Sequence, residues 1–321
     1  MKDTEYTFAV ARIRANETRL LNAQDLNAVI SAAGYADAVR RLNDKGYQIE
    51  GIDYGTALND KMNSEWELIS SLLPDKSQFN SIILPNDFKN LKVMLKALVG
   101  GRETDGLFTV PCVYDPNEIK ALVSERKNDK LPEPLRHCDR SAYRILTQTH
   151  FAQLADSVID RASMEWAIKT AEKADNTIMT EIAQTNAAVA DIKILYRCIL
   201  SEKAKSFMER AVCACDAFDK NDIIKAAEKG MDAFLEFVSH TKHAKLAEAL
   251  KESPTAFEKA CDDALMKVIF RGKYENFGIA AIAAYYFAVK TEIMNVRIIL
   301  SAKLNDLPED TIRERMRLLY V

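Results

Sequence analysis

Glycine and proline are scarce in this chain, 10 and 8 among 321 residues. With Ala, Leu, Lys and Glu abundant, that scarcity disfavours a turn-dense, sheet-rich fold and favours long helices. A basic excess is also missing: the formal charge is −3, which argues against a generic nucleic-acid binder. Long apolar runs are missing too. The longest stretch without a charge, Phe277 to Val289 (FGIAAIAAYYFAV), falls short of the ~20 residues needed to cross a bilayer, so it reads as a buried core helix. No apolar leader opens the sequence, and the six cysteines are scattered, as expected for free thiols in a reducing cytoplasm. The Cys213-Ala214-Cys215 pair points to different helix faces and lacks a partner set with metal-ligand spacing. Nucleotide-binding glycine loops, H-E-x-x-H and G-x-S-x-G are all absent, which argues against an enzyme.

What is present is a short phrase that recurs three times. It reads Asn90-Leu91-Lys92-Val93-Met94-Leu95, Asp191-Ile192-Lys193-Ile194-Leu195-Tyr196 and Asn295-Val296-Arg297-Ile298-Ile299-Leu300. The spacings, 90 to 191 and 191 to 295, are those of a small domain, which points to internal similarity and to shape over chemistry. The aliphatic positions are ordinary core, and the cation is of the kind that snorkels. An Asn or Asp two residues before the cation asks for more, because these residues are mediocre helix formers. A buried polar contact between units, or a polar strip facing a partner, is the expectation for it.

Helical periodicity runs from Tyr6 to Leu21, resumes at Asp25 and at Tyr35, and continues from Leu58 to Leu73. The first phrase-bearing helix is expected to begin at Asn86-Asp87 and to end at Gly100-Gly101 with a left-handed cap. Residues 102–114 read as a mixed, extended excursion. Each phrase is then followed by a linker and an acid-capped helix start, at Asp115/Glu118, Asp219/Asp222 and Asp306/Glu309. Ser253-Pro254 is a further start, and Gly272 is expected to break the helix before a final one near Asn276 to Lys303. The charged, proline-bearing stretch Ser124 to Asp139 and the softer break at Ser239 to Lys245 divide the chain into 1–127, 128–238 and 239–321.

His240 and His243 lie three apart on an expected helix, but no third ligand is evident, and a solvated surface is the simpler reading. His137 and His150 stand alone. Acid pairs such as Asp262-Asp263 are those of helix surfaces. No catalytic, cofactor-binding or metal-binding residue is assigned.

The opening residues Tyr6-Thr7-Phe8-Ala9-Val10-Ala11-Arg12-Ile13-Arg14-Ala15-Asn16-Glu17, with Leu20-Leu21, resemble the start of the C subunit of archaeal- and bacterial-type rotary ATPases. The d subunit of eukaryotic vacuolar ATPases belongs to the same family. The stretch Lys290-Thr291-Glu292-Ile293-Met294-Asn295-Val296-Arg297-Ile298-Ile299, with Lys303, is similar to that family's C-terminal signature, and Asp87-Phe88-Lys89-Asn90-Leu91-Lys92 looks like a first-unit counterpart. Asp191 departs from the pattern.

The resemblance implies an all-α fold of three related helical domains arranged as a pseudo-threefold funnel. It implies a non-catalytic rotor part, peripheral on the cytoplasmic face of the membrane, that seats the central stalk on the proteolipid ring. ATP-linked proton or sodium transport would be the task of the whole complex. No cofactor, nucleic acid or small-molecule substrate is expected. Arg12, Arg14, Glu17, Asn90, Lys92, Asn295 and Arg297 are the expected polar contacts between units or with partners. The alternatives are a helical adaptor with a concave protein-binding surface and an unrecognised helical enzyme.

Overall fold

A computed structural model describes residues 3–49, 51–104, 106–149 and 151–321; His150 lies outside the described residues. The fold is all-α, and among the described residues there is no strand, only an isolated bridge between Cys215 and Phe218. In chain order the helices are α1 (Thr7–Glu17), α2 (Ala23–Ile30), α3 (Tyr35–Asn43), α4 (Tyr54–Leu72), α5 (Asn80–Gly100) and α6 (Pro116–Ser124). Then come α7 (Glu133–Thr149), α8 (Ala152–Lys173), α9 (Thr177–Leu200), α10 (Lys205–Ala211) and α11 (Lys220–Glu228). The last are α12 (Met231–Ser239), α13 (Ala244–Glu252), α14 (Pro254–Lys273), α15 (Ile279–Leu304) and α16 (Glu309–Arg315).

The chain packs as two compact units, one of residues 1–76 with 248–321 and one of residues 77–247. In the first, α15 is the axis against which α1, α2, α3, α4, α14 and α16 pack. Its first two turns, Ile279 to Tyr286, are buried on every face, as an all-round apolar helix must be in water. Gly272 does not end α14, as its composition suggested, but lies inside it. A Cβ there would come within 2.7 Å of the Ala280 carbonyl oxygen and 3.1 Å of the Ala284 Cβ. The residue is small because α14 and α15 approach closely at that point.

In the second unit α8 packs against α5, α7, α9 and α10, while α9 also receives α11 and α12. Three of the helix starts read from the sequence are capped by side chains. Asp115 accepts from Asn117 N–H at 2.7 Å and Asp219 from Asn221 N–H at 2.8 Å, while in the first unit Ser253 accepts from Ala256 N–H at 3.0 Å. The third expected acid cap is absent: α16 starts after Pro308 without a side-chain cap, and Asp306 takes up a left-handed conformation instead (φ 52°). α5 also differs from its expected start, beginning six residues earlier and carrying Pro85 inside it. Burial of Phe79, Ile83, Leu84 and Phe88 outweighs the one intrahelical bond that proline forfeits.

Candidate functional site

The recurring phrase marks a structural module that repeats down to individual backbone bonds. Each phrase sits near the C-terminal part of a long helix, α5, α9 or α15. Eleven residues after each Asn or Asp the helix stops at a left-handed residue, Gly101 (φ 61°), Glu202 (φ 50°) or Asp306 (φ 52°). In each case the next N–H reaches back five residues: Arg102 to the Ala97 carbonyl at 3.0 Å, Lys203 to Cys198 at 2.9 Å, and Leu307 to Ala302 at 2.9 Å. That is the Schellman arrangement, which satisfies the orphan carbonyls of a helix end. Gly101 confirms the cap read from Gly100-Gly101; Glu202 and Asp306 achieve the same turn without glycine.

The chain then returns, and the phrase's polar side chain grips its backbone. Asn295 accepts from Arg317 N–H at 2.8 Å and donates to the Arg317 carbonyl at 3.1 Å. Asn90 accepts from Thr109 N–H at 2.7 Å, donates to the Thr109 carbonyl at 3.0 Å, and also meets Cys112 Sγ at 3.1 Å. Asp191 accepts from Cys213 N–H at 2.9 Å through Oδ1, while its buried Oδ2 has no donor facing it. All three residues are buried, so each amide or carboxyl exchanges water for backbone groups that would otherwise be unsatisfied. Burial raises the Asp191 carboxyl to about 8, with Glu165 pushing the same way against the opposing pull of Cys213 N–H and Lys220.

Three residues before the phrase, the two modules that carry Asn also carry a buried acid. Asp87 accepts from Val113 N–H and Tyr114 N–H, each at 3.0 Å, and burial lifts it to about 6. Glu292 accepts from Leu21 N–H at 2.6 Å and Tyr47 Oη at 2.7 Å, and burial raises it above its ordinary range. The corresponding middle position is Ala188. Sequence reasoning named Asp87 only as part of a helix start, whereas it lies inside α5, and met Glu292 only within a stretch that carried the family resemblance.

The other expected contact residues are placed as follows. Arg14 bonds Glu17 at 2.7 Å and the last carbonyls of the α14 region, Lys273 at 2.5 Å and Glu275 at 2.9 Å, where the helix dipole favours a cation. Glu17 also accepts from Tyr320 Oη at 2.8 Å, and Tyr320 stacks on Phe270 with centroids 5.9 Å apart. These groups form one network in the first unit. Lys92 pairs with Asp160, and Lys96, one turn on, pairs with Asp156 at 2.7 Å, joining α5 to α8. Arg297 donates to Asn59 at 3.3 Å and is otherwise exposed, lining a groove of about 220 Å³ with Ser301, Leu307 and Arg315. Arg12 is exposed on α1. Thus Arg14, Glu17, Lys92 and Arg297 each bond across the 128 or 239 breaks read from the sequence, and each of these bonds lies inside one compact unit. Asn90 and Asn295 bond chain on their own side of those breaks.

His240 Nδ1 sits 2.8 Å from the Glu236 carbonyl at the surface, and His243 is buried with Nε2 unpartnered. Burial and Lys242 push the His243 imidazole below its ordinary value. Among the described residues no group of three or more His, Cys, Asp and Glu is placed to hold a metal ion. Cys213 and Cys215 are free thiols that burial raises. No helix of the described residues is long and apolar enough to cross a membrane.

A family profile described as ATP synthase (C/AC39) subunit matches residues 9–315. The chain is 20% identical over 317 residues to the C subunit of the V-type sodium ATPase of Enterococcus hirae, covering 96% of this chain and 97% of that one. It is 24% identical over 346 residues to the C subunit of the A-type ATP synthase of Methanocaldococcus jannaschii, covering 96% and 85%. The matched span takes in all three phrases, their left-handed helix ends and two of the three gripped segments, and on that end-to-end match the chain belongs to the ATP synthase (C/AC39) subunit family.

Proposed function

We propose that this chain is a non-catalytic central-rotor subunit of a vacuolar-type ATPase or ATP synthase. It would act as a socket that couples the central stalk to the membrane proteolipid ring, held peripherally on the cytoplasmic face. The observation that carries the reading is the family match over residues 9–315. The relatives' names, as C subunits of a V-type sodium ATPase and of an A-type ATP synthase, support it. Three related helical domains around one opening would suit a shaft, and the thrice-repeated module supports that division of the chain. A part that transmits torque must resist bending, and backbone gripped by buried side chains after every phrase serves that need.

Within this reading Arg12 and Arg297 are the candidates for stalk or ring contacts, because their guanidinium groups are exposed. Arg14, Glu17, Asn90, Lys92 and Asn295 would hold the socket itself in form. The test is affinity purification of the tagged chain from solubilised membranes. Co-recovery of the proteolipid and central-stalk subunits is the expected result. Recovery with unrelated soluble proteins alone would overturn the rotor reading in favour of an adaptor.

A further inference from the structure

The three modules use the same geometry with one chemical exception. At Asn90 and Asn295 the side chain both accepts an N–H and donates to a C=O of the same backbone residue. Asp191 occupies the equivalent place, eleven residues before its left-handed helix end, and accepts the Cys213 N–H through Oδ1. A carboxylate has no proton to complete the exchange, and Oδ2 is buried without a donor. We propose that Asp191 is held as a neutral carboxylic acid, an amide mimic whose Oδ2–H donates to the Cys213 carbonyl while Oδ1 accepts the Cys213 N–H.

The surroundings favour the neutral form. Among the described residues no Lys or Arg forms an ion pair with Asp191. Lys220, at the start of α11, commits Nζ to the Val212 carbonyl at 2.6 Å. Lys220 pulls the Asp191 carboxyl downward, and burial of the carboxyl outweighs that pull. Glu165, on α8, opposes a second negative charge and is engaged with Arg161 at 3.5 Å. The Cys213 and Cys215 thiols face the same site and are held protonated by burial. The residue lies at 2% exposure between α8, α10 and α11, where an unpaired carboxylate would lose its hydration with a single N–H in return.

The sign of the linkage gives the test. The folded chain keeps a proton that the unfolded chain releases above the usual carboxylate range, so wild-type stability falls as pH rises until the native carboxyl ionises. Asp191→Asn supplies the amide already present at positions 90 and 295 and removes that proton. The ratio of folding equilibrium constants, D191N over wild type, should therefore grow by about tenfold per pH unit between pH 5 and 7. Denaturant titration of the full chain measures it, and a ratio that does not change with pH overturns the proposal. Carbon-13 spectra of aspartate-labelled wild type, with D191N identifying the resonance, give an independent reading. A neutral-acid shift at pH 6 is expected, and an ionised-carboxylate shift at pH 6 would overturn the assignment.

Discussion

Asn295 and Asp191 stand at equivalent points of two modules and grip backbone the same distance downstream, each bond spanning 22 residues. The first does so with an amide that both gives and takes a hydrogen bond. The second does so with a group that must borrow a proton to match it. The comparison teaches that what recurs in this fold is a two-way backbone grip, and that residue identity at the gripping position follows from hydrogen-bond capacity.

The largest effect should come from making the two positions alike in the unfavourable direction. Asn295→Asp replaces a neutral amide at a fully buried site, so its carboxyl is either ionised at cost or protonated against the pH. Stability should fall as pH rises above the ordinary carboxylate range, by about 1.4 kcal/mol per pH unit while the native group stays protonated. Denaturant midpoints from pH 5 to pH 7 measure this, and a flat profile would break the comparison.

Asn295→Ala removes the grip altogether and leaves the Arg317 N–H and C=O to find other partners, at roughly 2–3 kcal/mol. Asn90→Ala should behave similarly. If either costs under about 0.5 kcal/mol by thermal unfolding, the grip is an ornament of the helix end. Gly272→Ala probes packing away from the modules. Its Cβ would press on the Ala280 carbonyl, for an expected loss of about 1–3 kcal/mol. The smallest effect belongs to Lys92→Ala. Lys92 pairs with the mostly exposed Asp160, and such pairs contribute under ~1 kcal/mol.

Much of this architecture was legible before the structure. Asp115, Asp219 and Ser253-Pro254 announced helix starts because capping is a local transaction between a side chain and the next two or three N–H groups. Gly100-Gly101 announced a left-handed stop for the same reason. The stop after Lys303 was expected, but the left-handed residues that make the matching stops, Glu202 and Asp306, were hidden, since neither is a glycine and no composition rule marks a non-glycine residue for positive φ. The grip was half visible. The gripping residue repeats, but its targets Thr109, Cys213 and Arg317 share no side-chain chemistry because only their backbone is held. Glu292 escaped notice as a buried acid because its partners, Leu21 and Tyr47, lie 271 and 245 residues away. Pro85 and Gly272 misled for a common reason: tertiary packing overrode a local propensity.

The interleaving of the first compact unit, residues 1–76 completed only by 248–321, sets an order of assembly. Residues 77–247 form a contiguous stretch that can close its own contacts as soon as it has been synthesised. The earlier 76 residues lack α15, the axis they pack against, until nearly the whole chain is made. They must wait with the faces of α1, α3 and α4 that pack on α15 uncovered, which makes that waiting segment the one most in need of protection on the ribosome.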